Sequence, residues 1–345
     1  MIHRIHASSL FFLLVSAKLV LGQEPGNKIV LPVLKPVDAA MQHFVDEGQV
    51  SGAVTLVAHS GKVVHLGAVG LADIDSAKQM QTHKMFSIAS MTKPVTATAV
   101  MILQDEGKLS IDDKISKYLP EYKNVKLKDG SIPEREITIR DAITHTSGLA
   151  GNQVFDSTLK DSVDQLATRP LRFQPGTAWQ YSPGLNVAGR IVEIVAEKSF
   201  EDFVKQRIFE PLKMNNTTFF PNEKQQARIA ELYRMDGKKN ALAGVDNRIV
   251  DPSSVKAPNP SGGLFSTARD MYRFYQMILS GGQLRKSDRI VSEQAVKQMT
   301  TPQTGDLETG FTPGNCWGLG WCIVREPQGV SEKLSSGTFG HGGAF

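Results

Sequence analysis

The sequence predicts an α+β protein: a mixed, mainly antiparallel sheet flanked by helices, with a helical domain inserted into it. Three observations point there. Two strand-like runs, Gly52–His59 and 62–67, are joined by Ser60-Gly61, a pair that favours a hairpin. Helical patterns broken by Pro, Gly and Asn fill residues 111 to about 250. A strand-like run at 319–324 and a glycine-rich stretch at 338–345 follow. Strands, then helices, then strands is the order of a sheet that carries a helical insertion. The chain divides accordingly into a signal peptide (1–22), a linker (23–37) and one domain (38–345). The sheet lobe of that domain takes 38–110 and 255–345, and its helical lobe takes 111–254.

Each further element has its own pattern. Residues 39–47 read as a short helix. Residues 90–106 read as a longer one, because Met91, Val95, Thr98 and Ile102 recur at helical spacing and Gly107 suits the position after the last turn. Residues 187–197 form the clearest helix of the insertion. Residues 249–260 are polar and proline-rich, with weak periodicity. Residues 268–279 return to helical spacing, and Gly281-Gly282 ends the run.

With 345 residues, 41% hydrophobic and 21% charged, the chain is long and apolar enough to bury a large core. Its net charge of +4 is spread along the sequence and leaves no nucleic-acid footprint. The first residues include Arg4, the next are mostly apolar to Gly22, and Gln23 follows. That is the pattern of a secretory signal, too short for a comfortable membrane span, so a secreted or periplasmic location and no stable membrane insertion are expected. The two cysteines are Cys316 and Cys322. Six residues of extended chain span about 20 Å, beyond disulfide reach. Without a turn at Gly318 or Gly320, two unpaired thiols are expected. No clustered histidines accompany them, so no metal site and no cofactor are expected.

The chemistry centres on Ser90-Met91-Thr92-Lys93. Residues three apart share a helix face, so Lys93 can reach the Ser90 hydroxyl. Serine is a weak nucleophile until a base takes its proton, and a lysine amine can do so once burial or a nearby charge lowers its pKa. Pro94 lacks an N–H and is tolerated only in a first turn, so the helix cannot begin much before Ser90. The nucleophile therefore sits at a helix N-terminus, where unpaired N–H groups can hold a developing oxyanion. A four-residue pattern alone is weak, and its bland reading is a helix start with a surface lysine.

Further segments strengthen it. Phe86 to Lys93, Thr144-His145-Thr146-Ser147-Gly148-Leu149, Pro175 to Ser182, Pro260 to Asp270, Gly318-Leu319-Gly320-Trp321 and Gly340-His341-Gly342-Gly343-Ala344-Phe345 occur in one order. Together they resemble the serine β-lactamase-related superfamily of class C β-lactamases, penicillin-binding proteins and esterases, from about residue 38 onward. The resemblance implies a β-lactamase/transpeptidase-like fold and a set of roles. Ser90 would form an acyl-enzyme, with Lys93 and Tyr181 sharing the proton work and the choice of base left open. The N–H groups of Ser90 and Ala344 would form the oxyanion hole. Gly342 and Gly343 would let the substrate approach the strand, and His341 would face its polar end. His145 reads as a capped helix end, outside the active site.

Two features depart from the pattern. β-Lactamases carry Tyr-x-Asn where this chain has Tyr181-Ser182-Pro183, so a side-chain amide is lost; Asn186, three residues on, need not replace it. Family members continue past the glycine-rich strand, so C-terminal strands are expected to be missing and a sheet edge exposed. The implied substrate is a small-molecule ester, β-lactam or peptide, with carboxylesterase ranked first, β-lactamase second, and D-amino-acid peptidase or transpeptidase third. Two other readings are a non-catalytic penicillin- or peptidoglycan-binding protein and a hydrolase tethered by an uncleaved N-terminus.

Overall fold

The computed structural model describes residues 14–15, 34, 36–151, 158–236, 241–245, 255–285, 288–310 and 312–344. Most of the expected signal peptide and linker, and Phe345, lie outside the described residues.

In chain order the elements are β1 (Leu14–Val15), α1 (Pro36–Asp46), β2 (Gly52–His59), β3 (Lys62–Asp73), β4 (Lys78–Gln79), β5 (Phe86–Ser87) and α2 (Lys93–Asp105). Then come α3 (Ile139–Thr144), α4 (Leu159–Ala167), α5 (Gly184–Ala196), α6 (Phe200–Val204), α7 (Glu223–Gln226), β6 (Tyr233–Asp236) and β7 (Ala241–Gly244). The chain continues with β8 (Phe265–Ser266), α8 (Ala268–Leu279), α9 (Glu293–Met299), β9 (Asn315–Trp317), β10 (Cys322–Val324) and β11 (Phe339–Gly340).

The architecture is α+β, and its ladders are antiparallel. The described strands form separate sets, β1-β11-β10-β9, β2-β3-β4, β5-β8 and β6-β7, instead of one continuous mixed sheet. Parallel pairing is confined to isolated bridges such as Met85 with Ile229. The β2–β3 hairpin turns at Ser60-Gly61, with His59 opposite Lys62. Both turn residues have positive φ, 49° and 73°, as a two-residue hairpin with the right twist requires.

Three elements differ from expectation for identifiable reasons. Helix α1 starts at Pro36, inside the expected linker, because proline is welcome in a first turn. The strand expected at 319–324 begins only at Cys322, since Gly318 N–H bonds Trp321 O at 2.9 Å and closes a turn. A hairpin, β6–β7, stands in a stretch expected to be helical. Its first residue is anchored from outside: the Ile74 N–H donates to the Tyr233 hydroxyl at 2.7 Å.

The hairpin also decides the cysteines. Cys322 lies opposite Trp317, and Cys316 opposite Ile323. Alternation along each strand sends the two thiols to opposite faces, and both are free.

Helix α2 is the axis of the core. Every residue from Lys93 to Leu103 is buried, so the helix is enclosed on all sides. Val95, Val100, Ile102 and Leu103 are at most 2% exposed. Side chains of this kind contribute about 1.5–3 kcal/mol each on burial. Within this buried run Lys93 alone carries a charge-bearing side chain. Helix α3 is fixed by a capping box between Thr138 and Asp141, itself clamped by Arg135. It ends at His145, whose φ of 65° turns the chain toward the site.

Candidate active site

The segment before Ser90 is a strained turn. Ala89 has a φ of 42°, a conformation that disfavours a residue with a Cβ. It persists because residues 86–92 are gripped by 264–266. Strand β5 pairs with β8, Ile88 N–H bonds Leu264 O at 2.9 Å, and Leu264 N–H bonds Thr92 Oγ1 at 3.2 Å. The chain then passes through a 3-10 turn (Ala89–Thr92) into α2, with Pro94 in the first turn.

Lys93 Nζ stands 2.9 Å from Ser90 Oγ and donates to the Ser261 carbonyl at 2.6 Å. Lys93 is 2% exposed, and burial lowers its pKa from 10.5 to about 7. A large fraction of the amine is therefore neutral at neutral pH and able to accept a proton. Among the described residues no acidic side chain acts on it in the opposite sense.

The Tyr181 ring lies under Lys93 Nζ, 4.5 Å from ring centroid to nitrogen. Burial pushes its phenol pKa well up, and a hydrogen bond with Ser90 only partly offsets this. Tyr181 therefore rests as the phenol. The sequence left the base open between Lys93 and Tyr181, and these opposite shifts separate the two groups.

His145 is fully buried, with its ring 4.4 Å from that of Tyr181. Its Nδ1 accepts the Ser182 N–H at 3.1 Å, so the ring proton sits on Nε2. The helix-end reading placed His145 correctly at the end of α3 but missed that its ring backs Tyr181. Trp317 packs against His145 at 5.0 Å, Tyr181 at 5.8 Å and His341 at 5.3 Å. Trp179 stacks on Trp317 at 5.4 Å. Only the position of Trp179, two residues before Tyr181, could have signalled this aromatic wall.

His341 is 4% exposed and donates through Nδ1 to the Gly342 carbonyl at 2.6 Å. Burial, aided by the Lys93 charge, lowers its pKa to about 3. The same causes, burial first, hold His145 well below the usual histidine range. Both imidazoles are neutral, which leaves Lys93 as the titrating cation of the group. Gly343 lies hard against the nucleophile turn: a Cβ there would come within 2.7 Å of Ile88 O. Gly342 is buried and Ala344 exposed at the end of this strand. The structure thus gathers Ser90, Lys93, Tyr181, His341 and Gly343 into one place, with Ser261 added by its backbone.

Among the described residues no cluster of three His, Cys, Asp or Glu side chains could hold a metal ion. Likewise, no helix there is long and apolar enough to cross a membrane.

Comparison with known proteins shows the family and the fold. The Beta-lactamase family model matches residues 37–345. Protein Rv1367c of Mycobacterium tuberculosis is 33% identical, over 89% of this chain and 84% of its own. Esterase EstB of Burkholderia gladioli is 28% identical, over 90% of this chain and 84% of its own. The solved structure of EstCE1, described as a hydrolase with promiscuous acyltransferase activity, shares the fold. Its TM-score is 0.77 at 23% identity, covering 90% of this chain and 87% of EstCE1. A family match over nearly the whole domain, on a fold that brings the motif residues together, has one conclusion: this chain belongs to the Beta-lactamase family.

Proposed function

We propose that the protein is an exported serine hydrolase that cleaves small ester substrates through an acyl-enzyme on Ser90. The observation that carries this reading is the 2.9 Å approach of Lys93 Nζ to Ser90 Oγ, with the amine's pKa lowered to about 7. Neutral Lys93 takes the Ser90 proton as Oγ attacks the acyl carbon. The N–H groups of Ser90 and Ala344 receive the oxyanion. Tyr181, a phenol at rest, gives its proton to the departing alkoxide and is reprotonated from Lys93. Water then attacks the acyl-enzyme by the same steps in reverse.

Ester is favoured over lactam or peptide for two reasons. Pro183 offers no side-chain amide to a substrate, and neutral His341 presents no cation to a substrate carboxylate. A relative named as an esterase, EstB, supports the same ranking. Export rests on the basic and apolar pattern before Gln23.

Rates on a short-chain aryl ester and a chromogenic cephalosporin, measured side by side, test the ranking. Ester turnover that exceeds cephalosporin turnover, with fluorophosphonate labelling abolished by Ser90→Ala, is the expected result. Faster cephalosporin turnover would make it a β-lactamase. The lost amide at Pro183 also favours a second reading, a non-catalytic penicillin- or peptidoglycan-binding protein. Folded protein that no fluorophosphonate labels would establish that alternative.

A further inference from the structure

The residue whose carbonyl holds Lys93 is itself held, through its N–H, from another helix. Ser261 O accepts from Lys93 Nζ at 2.6 Å, while the Ser261 N–H donates to Asn186 Oδ1 at 2.9 Å and to Asn259 Oδ1 at 3.0 Å. Asn259 is local: its carbonyl also accepts the N–H groups of Gly262 and Gly263, which shapes the turn. Asn186 is not local. It comes from α5, 75 residues away, and is 1% exposed.

The two helices clamp this segment from both sides. Thr96 of α2 donates to Pro260 O at 2.6 Å. Helix α5 presses on it at Gly189, where a Cβ would fall 2.3 Å from Pro260 Cγ. A carboxamide buried on a helix is a poor choice for packing alone. Its burial costs about 1–3 kcal/mol unless it is hydrogen-bonded, and asparagine is a weak helix former. An apolar residue would fill the space at lower cost.

We propose that Asn186 is a positioning residue for Lys93, acting through the Ser261 backbone. By holding the Ser261 N–H it anchors the 260–261 peptide and so the place from which the Ser261 carbonyl reaches Lys93, while the Gly262 N–H bond to Asn259 O sets the plane of that carbonyl; together they aim the amine at Ser90 Oγ. The inference rests on the reading of Lys93 as the base that receives the Ser90 proton.

The test is the rate of fluorophosphonate labelling of the full chain as a function of pH, for the parent, Asn186→Leu and Asn186→Asp. The parent profile is read first: an inflection near pH 7 supports Lys93 as base, and its absence removes that reading and this inference with it. Given the inflection, Asn186→Leu should label about ten- to hundredfold more slowly, the usual consequence of a misaimed group. Its inflection should also rise as the loosened amine gains hydration. A merely structural role would lower the melting temperature and leave the inflection in place. Asn186→Asp keeps the accepting oxygen, so its plateau rate should stay within about threefold of the parent, with the inflection raised by the added charge. A folded leucine variant with the parent's rate and inflection overturns the proposal. If that variant fails to fold, the aspartate variant decides: a plateau lowered about tenfold or more overturns it.

Discussion

Lys93 Nζ lies over the face of the Tyr181 ring, 4.5 Å from its centroid, while the Tyr181 hydroxyl serves Ser90. Ring and hydroxyl thus have separate duties. The ring face attracts the ammonium by about 0.5–2 kcal/mol, and in the proposed mechanism the hydroxyl handles the proton of the reacting oxygens.

Tyr181→Phe separates these duties. It keeps the ring under Lys93 and removes only the hydroxyl. Ester turnover should fall by about a hundredfold or more, while the inflection near pH 7 stays where it is. A phenylalanine variant that retains full turnover would leave the hydroxyl without a role.

Lys93 also makes stability depend on pH with a definite sign. Its folded pKa of about 7 lies below the ordinary 10.5, so the unfolded chain binds the extra proton between those values. Stability therefore rises with pH across that window; the burial penalty is complete below about pH 7 and gone above 10.5. In Lys93→Met the penalty is absent at every pH. Melting curves at several pH values should show the variant's gain over the parent largest at acid pH and smallest near 10.5. A difference independent of pH would refute the buried, deprotonating amine.

Gly343→Ala should disturb the site from the strand side. The added methyl would meet backbone, Ile88 O at 2.7 Å, which cannot swing aside as a flexible side chain would. The strand must back away from the nucleophile turn, and labelling of Ser90 should slow about tenfold or more. Gly244→Ala, where nothing lies within 4 Å, serves as the control and should label at the parent's rate.

The thiols should stay apart. Cys316 and Cys322 face opposite sides of the β9–β10 hairpin, and burial pushes the Cys322 pKa up to about 12, which suppresses the reactive thiolate. After oxidative incubation and unfolding, alkylation followed by peptide mapping should find both thiols free. A Cys316–Cys322 crosslinked peptide would contradict the observed register.

Much of this was legible locally. Ser60-Gly61 announced a hairpin, helical spacing announced α2 and α8, and the sterics of Pro94 placed Ser90 at the start of a helix. These are short-range constraints, expressed within a few residues. The β6–β7 hairpin was not legible, because Tyr233 is held by Ile74, far away in sequence. His145 was half legible: the sequence showed the helix end, while its contact with Tyr181 depends on how α3 meets the loop before α5.

The sequence by itself determined the chemical inventory: a hydroxyl and an amine three residues apart, a tyrosine at a distance, and glycines at the final strand. Only the tertiary structure decided how those groups behave. Closing α2 inside the core removes Lys93 from water and lowers its pKa, the same burial raises that of Tyr181, and Asn186 reaches Ser261 from another helix. Desolvation and hydrogen bonds between distant segments exist only once the chain is packed, and no local pattern of residues encodes them.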